Sequence, residues 1–194
     1  MSSEALARAV FLVLAMSLAG ILHVLWLRAP LSQRFAWPVD CGLTFRGRRL
    51  FGANKRLSGF MVLPPAAAAS FALLGSLYKM MPASIADGLW PLSTVQYAGL
   101  GMVCGLAFML AELPNSFFKR QLDIAPGQAP PQRPLRWVVM LVDRMDSVVG
   151  VLLVASALVP LSVATWMLVL AFGSVMHALF SIVLHVLGIK ARAL

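Results

Sequence analysis

Five stretches of this chain are apolar for long enough to cross a hydrocarbon layer, and that limits the possible folds more than any other feature. A spanning helix uses about 20 residues. The apolar runs cover about 5–27, 60–78, 96–113, 137–159 and 163–187. A chain with 60 % hydrophobic and 12 % charged residues carries about half the charge of a soluble domain, which has roughly 25 %. In lipid the backbone must satisfy its own hydrogen bonds, which unbroken runs of this length do as helices. The expected fold is all-α: a polytopic membrane protein with about five transmembrane helices, in a single integral membrane domain spanning 1–194. Trp26, Trp37, Trp90 and Trp137 fall near run boundaries, as an aromatic belt does.

Orientation follows from Lys and Arg, which accumulate in cytoplasmic loops. Segment 29–59 holds Arg34, Arg46, Arg48, Arg49, Lys55 and Arg56; segment 114–136 holds Lys119, Arg120, Arg133 and Arg136; Lys190 and Arg192 lie near the end of the chain. With five spans all three fall on one side, leaving Arg8 and Lys79 on the other. The sequence therefore predicts long cytoplasmic loops at 29–59 and 114–136, an external N-terminus and a multi-pass protein of the cell (inner) membrane. The first run does not read as a cleavable signal: its leading charge is mixed, Glu4 with Arg8, and its apolar part is too long. Cys41 and Cys104 have neither disulfide nor metal-site spacing. Net charge is +9, which favours anionic partners. Nucleic acid is not expected, because most of the chain must lie in the bilayer; phosphorylated substrates and lipid headgroups remain. The sequence does not indicate an oligomeric state.

Only seven residues are acidic, and Glu112, Asp143 and Asp146 lie inside or at the edge of spans. A charge at membrane depth costs about 2.5–3.5 kcal/mol on insertion scales, so such residues face a bundle interior, a partner or an ion. Asp143 and Asp146 are three apart and share a helix face. A divalent cation would relieve their repulsion, since Mg²⁺ takes one or two carboxylates plus phosphate oxygens. An ion pair with Arg144 or a loop arginine would relieve it too, and spacing does not choose between them. Ser116, Lys119 and Arg120 follow Glu112 closely. A hydroxyl and two cations can bind phosphate, though a basic stop signal looks the same. The glycines and cations of Gly52-Ala53-Asn54-Lys55-Arg56-Leu57-Ser58-Gly59 could approach a phosphate chain or an anionic membrane surface. His23, His177 and His185 read as satisfied bundle residues rather than ligands.

Taken in order, these segments resemble the CDP-archaeol synthase family, relatives of the phosphatidate cytidylyltransferases. Gly52-x-x-Lys55-x-x-x-Gly59 is similar to that family's Gly-x-x-Lys-Thr-x-x-Gly segment. Glu112-x-x-x-Ser116-x-x-Lys119-Arg120 is similar to Asp-x-x-x-Ser-x-x-Lys-Arg, and Asp143-Arg144-Met145-Asp146 matches Asp-Arg-x-Asp. The first segment departs from the pattern: an acidic position is Ala53 or Asn54, and the usual Thr is Arg56. The resemblance implies a membrane cytidylyltransferase that moves CMP from CTP to a lipid phosphate, giving a CDP-lipid and pyrophosphate at the cytoplasmic face. It implies Asp143, Asp146 and Lys119 as catalytic residues and Glu112, Asp143 and Asp146 as Mg²⁺ ligands. It further implies Arg46, Asn54, Lys55, Ser116, Lys119, Arg120 and Arg144 as CTP-binding residues. The rival expectation is a non-catalytic binder or transporter of anionic lipids.

Overall fold

The computed structural model describes residues 3–82, 87–126, 128, 130 and 133–188. Its framework is five long helices: α1 (Ser3–Arg28), α2 (Leu57–Lys79), α3 (Thr94–Gln121), α4 (Arg133–Leu158) and α5 (Val163–Val186). They correspond in order to the five apolar runs, and the protein is an all-α, multi-pass membrane protein. By length and composition, α1, α2, α3 and α5 are apolar enough to cross a membrane. Helix α4 is long enough, but Asp143, Arg144 and Asp146 interrupt its apolar run. Lys190 and Arg192 lie outside the described residues.

Two expected loops are more ordered than polarity alone indicates. Segment 114–136 is not one loop, because α3 continues through Pro114 to Gln121 and α4 begins at Arg133. Polarity marks where lipid ends, but it does not end a helix. Helix α3 stops where Asp123 takes a left-handed φ of 59° and the N–H groups of Leu122, Asp123 and Ile124 close onto the carbonyls of Phe118, Arg120 and Lys119. Segment 29–59 holds a 3-10 helix at Pro30–Phe35 and a hairpin pairing β1 (Thr44–Phe45) with β2 (Arg48–Arg49). The hairpin turns on Arg46 and Gly47, both at positive φ, as a two-residue turn of this hand requires.

Small residues set how closely the helices approach. A Cβ on Gly101 would sit 2.4 Å from the Ala67 carbonyl oxygen, and one on Gly105 would sit 2.8 Å from the Pro64 Cα. Helix α3 therefore lies directly against α2, as small-xxx-small stripes allow in membranes. A Cβ on Gly150 would meet the Ala111 Cβ at 2.4 Å, which brings α4 equally close to α3. At one end of the bundle Phe11 packs on Phe71, Tyr97, Tyr78 and Trp90, with ring centroids 5.2–6.2 Å apart. The Tyr97 hydroxyl donates to the Trp90 carbonyl at 2.7 Å, and the Trp90 indole donates to Pro160 at 3.0 Å. Offset and edge-on aromatic pairs of this kind add about 0.5–1.5 kcal/mol each beyond area burial. The other end of the bundle carries Glu112, Asp143 and Asp146 with most of the cations.

Candidate active site at the polar end of the bundle

The α3–α4 contact fixes this site. The helices run antiparallel, so from Gly150 against Ala111 the next turns bring Ser147 to Glu112 and Asp146 and Asp143 to Asn115. On α3, Glu112, Asn115 and Lys119 recur at helical spacing and face α4. The Asn115 amide nitrogen donates to Asp143 Oδ1 at 2.5 Å and to Asp146 Oδ2 at 2.9 Å. Both carboxylates thus turn towards one point. Lys119 forms an ion pair with Asp143. The buried Ser147 hydroxyl lies 3.1 Å from both Glu112 Oε1 and Asp146 Oδ1. Lys55 reaches in from the segment before α2 and forms an ion pair with Glu112, whose side chain is 20 % exposed.

The segment that delivers Lys55 is organised by an acidic residue that the motifs do not mark. Asp40 is fully buried. It is ion-paired with Arg49 and accepts backbone N–H groups from Gly42 at 3.1 Å, Phe51 at 3.1 Å and Gly52 at 2.9 Å. Burial by itself would raise the Asp40 pKa. The Arg49 guanidinium and these three N–H groups outweigh it and hold the carboxyl well below the usual carboxylate range. Val39 N–H donates to the Lys55 carbonyl and Leu57 N–H to the Trp37 carbonyl, each at 2.8 Å, so the segment is stitched to the start of α2. Arg48 anchors the hairpin to the end of α3, donating to Gln121 O at 2.7 Å and Asp123 Oδ2 at 2.5 Å. A cation there is favoured by the α3 dipole.

Two cavities lie near this cluster. One, about 300 Å³, runs between the five helices, is mostly apolar and is lined at one end by Lys55 and Glu112. Its polar end is formed by His23, Asn54, Lys55, Arg56, Glu112 and His177. The second, about 320 Å³, is bounded by Arg48, Arg49, Gly52, Arg120 and Asp123. Arg120 is buried there, and its Nε and Nη1 have no hydrogen-bond partner among the described residues.

The expected site residues divide accordingly. Glu112, Asp143, Asp146, Lys119 and Lys55 meet in one cluster, Asn54 lies at the mouth of the apolar cavity, and Arg120 lies in the second cavity. Arg46 does not join them: it sits at the hairpin tip over its own neighbour's Phe45 ring, 5.3 Å from the centroid. Ser116 is buried and Arg144 half-buried, and neither has a hydrogen bond or ion pair to the cluster among the described residues. Arg144 therefore does not pair with Asp143 or Asp146; Lys119 pairs with Asp143, and Asn115 donates to both. Asn115, Ser147, Asp40, Arg48 and Arg49 belong to the site although the motifs do not mark them. Among the described residues no three His, Cys, Asp or Glu side chains already form a metal-binding group.

Residues 9–193 match the CarS-like CDP-archaeol synthase family. A CDP-archaeol synthase of Thermofilum pendens is 28 % identical over 186 residues, covering 95 % of this chain and 79 % of the relative. A solved structure described as an intramembrane enzyme for archaeal membrane lipid biosynthesis shares the fold, with TM-score 0.56 and 24 % identity over 84 % of this chain and 89 % of that one. The chain belongs to the CDP-archaeol synthase family, membrane transferases of lipid biosynthesis that make a CDP-activated lipid.

Proposed function

We propose that the protein transfers CMP from CTP to a lipid phosphate at the cytoplasmic membrane surface, releasing pyrophosphate. One observation carries this reading: a connected cluster of three carboxylates and two lysines opens through Glu112 and Lys55 on an apolar cavity within the bundle, while Arg120, next to Lys119 in the chain, lines a second cavity with Arg48 and Arg49. A lipid can enter from one side and a nucleotide from the other. A lipid phosphate oxygen attacks the α-phosphorus, the bond to the bridging oxygen of the β-phosphate breaks, and pyrophosphate leaves. The reaction needs orientation and charge stabilisation rather than a covalent enzyme intermediate.

Carboxylate oxygens are the donors that a hard dication takes. Asp143 Oδ1 and Asp146 Oδ2 converge on a single point, which the Asn115 amide nitrogen marks, and Glu112 is linked to Asp146 through Ser147. Asp143, Asp146 and Glu112 would hold Mg²⁺. When bound, it supplies charge neutralisation between triphosphate and lipid phosphate. The protein's own cations do the rest. Lys119 and Arg120 face the triphosphate, with Arg49 beside Arg120, and the unpartnered guanidinium nitrogens of Arg120 are available to phosphate oxygens. Lys55 holds Glu112 until substrate arrives. Asn115 holds the two aspartates through its paired hydrogen bonds.

The test is CTP-dependent formation of CDP-lipid by purified protein in liposomes, with and without Mg²⁺, across ester-linked and ether-linked lipid phosphates. Incorporation that requires a lipid phosphate and Mg²⁺ supports the reading. Lipid binding without incorporation supports a non-catalytic carrier instead.

A further inference from the structure

His23 lines the polar end of the apolar cavity and carries a buried ring nitrogen without a hydrogen-bond partner among the described residues. It projects from α1, one turn before Trp26 and Arg28 mark the end of that helix. Its Nε2 is buried and has no hydrogen-bond partner among the described residues. A buried polar atom left this way costs free energy and calls for an explanation. The neighbourhood supplies one. Gly59 lies beside the ring: a Cβ there would be 3.6 Å from His23 Nε2 and 2.7 Å from the Met109 methyl, which packs against the same glycine. Lys55, Arg56 and Glu112 line the same end of the cavity, and His177 faces it from α5, its ring 6.0 Å from the Phe108 ring. Away from this end the walls are apolar, with Leu12, Val24, Leu63 and Val151 among them.

We infer that His23 is a positioning and specificity residue for the lipid, donating from Nε2 to an oxygen of the lipid's phosphate while the first carbons of its tails occupy the apolar cavity. The inference rests on the proposed cytidylyl transfer and deepens it by dividing the donors between the substrates. His23 serves the lipid phosphate from within the bundle; Lys119, Arg120 and Arg49 serve the nucleotide from the polar side. The chemistry favours this division. A phosphate entering from the apolar side meets Glu112, which repels it. It needs a donor not already engaged by that carboxylate, and Lys55 is engaged while the Nε2 of His23 is free. The bond is non-covalent, so no atoms are exchanged with the imidazole.

The experiment compares wild type, His23→Leu and His23→Gln in liposomes, measuring KM for the lipid phosphate and for CTP separately. The lipid is phosphatidate or its ether-linked analogue, whichever the wild type turns over. Binding of the same lipid phosphate and of the matching dephosphorylated alcohol is measured alongside in nanodiscs. Losing one hydrogen bond to a charged group raises KM for the lipid phosphate by about ten- to a hundredfold. KM for CTP should stay within about twofold of wild type, because that substrate loses no contact. His23→Gln keeps an amide donor and should recover part of the loss. The preference for the phosphate over the alcohol should shrink in His23→Leu. If His23→Leu does not accumulate in the membrane, His23→Asn, which draws the donor back, carries the same expectation. Unchanged KM for the lipid phosphate, or an equal rise in both KM values, overturns the inference while leaving the reaction standing. If the wild type shows no turnover, the reaction is overturned; equal phosphate preference in wild type and His23→Leu then overturns the inference as well.

Discussion

Lys55 and Glu112, 57 positions apart in the chain, form an ion pair that locks the segment before α2 onto α3. Both side chains are largely removed from solvent, so removing one leaves the other uncompensated. Lys55→Met should lower stability by about 1–3 kcal/mol, the cost of leaving a buried charged group without its partner. The double variant Lys55→Met/Glu112→Gln should recover most of that stability and none of the activity. Thermal unfolding in detergent, together with CTP incorporation, checks both parts.

Asn115 donates to both Asp143 and Asp146 and orients them without contributing charge. Residues that orient metal-binding carboxylates typically matter by 10–100-fold, so Asn115→Ala should lower CDP-lipid formation by about that factor. The loss should ease as Mg²⁺ is raised, because the carboxylates themselves remain. A magnesium titration of initial rates measures this.

Asp40 gives a pH dependence of defined sign. Its folded pKa lies below the unfolded value, which is near 3.9 for an aspartate. Its contribution to the order of segment 29–56 is therefore complete above that unfolded value, and is lost as pH falls through the lower folded value. Limited proteolysis should find wild-type segment 29–56 equally protected across about pH 5–8, a window above the ordinary carboxylate range. Asp40→Asn should be cut readily throughout that window.

Much of this architecture could be read directly from the sequence, for physical reasons. Apolar runs of membrane length have few alternatives to helices, and Asp143 with Asp146 had to share a face at that spacing. The loop-bound cations were harder to place. Arg46 and Arg49 lie close together in the chain, but the hairpin turn sends Arg46 to the exposed tip while Arg49 returns to Asp40. The ends of α3 were hidden because polar residues continue a helix beyond lipid as readily as apolar ones. Asn115 was missed because a neutral amide carries no charge signal, and its role depends on the approach of α4 that Gly150 permits. The sequence alone reads His23 as a satisfied bundle residue, whereas the packing of α1 against the cavity leaves its Nε2 without a hydrogen-bond partner among the described residues.

The orientation can be tested with the native thiols. Cys41 is exposed in the segment before α2, while Cys104 is buried inside the bundle. A membrane-impermeant thiol reagent should label Cys41 in inverted vesicles and leave it unlabelled in right-side-out cells. Labelling from the outside would reverse the assignment of the basic face.

The central claim is that Asp146, together with Asp143, organises cytidylyl transfer. Asp146→Asn keeps the size and shape of the side chain and removes the charge that a hard cation needs. The deciding measurement is incorporation of radiolabelled CTP into lipid by purified protein in liposomes, with thermal unfolding followed on the same samples. Asp146→Asn should be folded, inserted and inactive, with incorporation down by at least about 10²-fold, the scale for losing a transition-state charge stabiliser. Lys119→Ala should instead raise KM for CTP, because it removes a contact to the triphosphate. A folded Asp146→Asn protein that incorporates CTP at the wild-type rate would contradict the account.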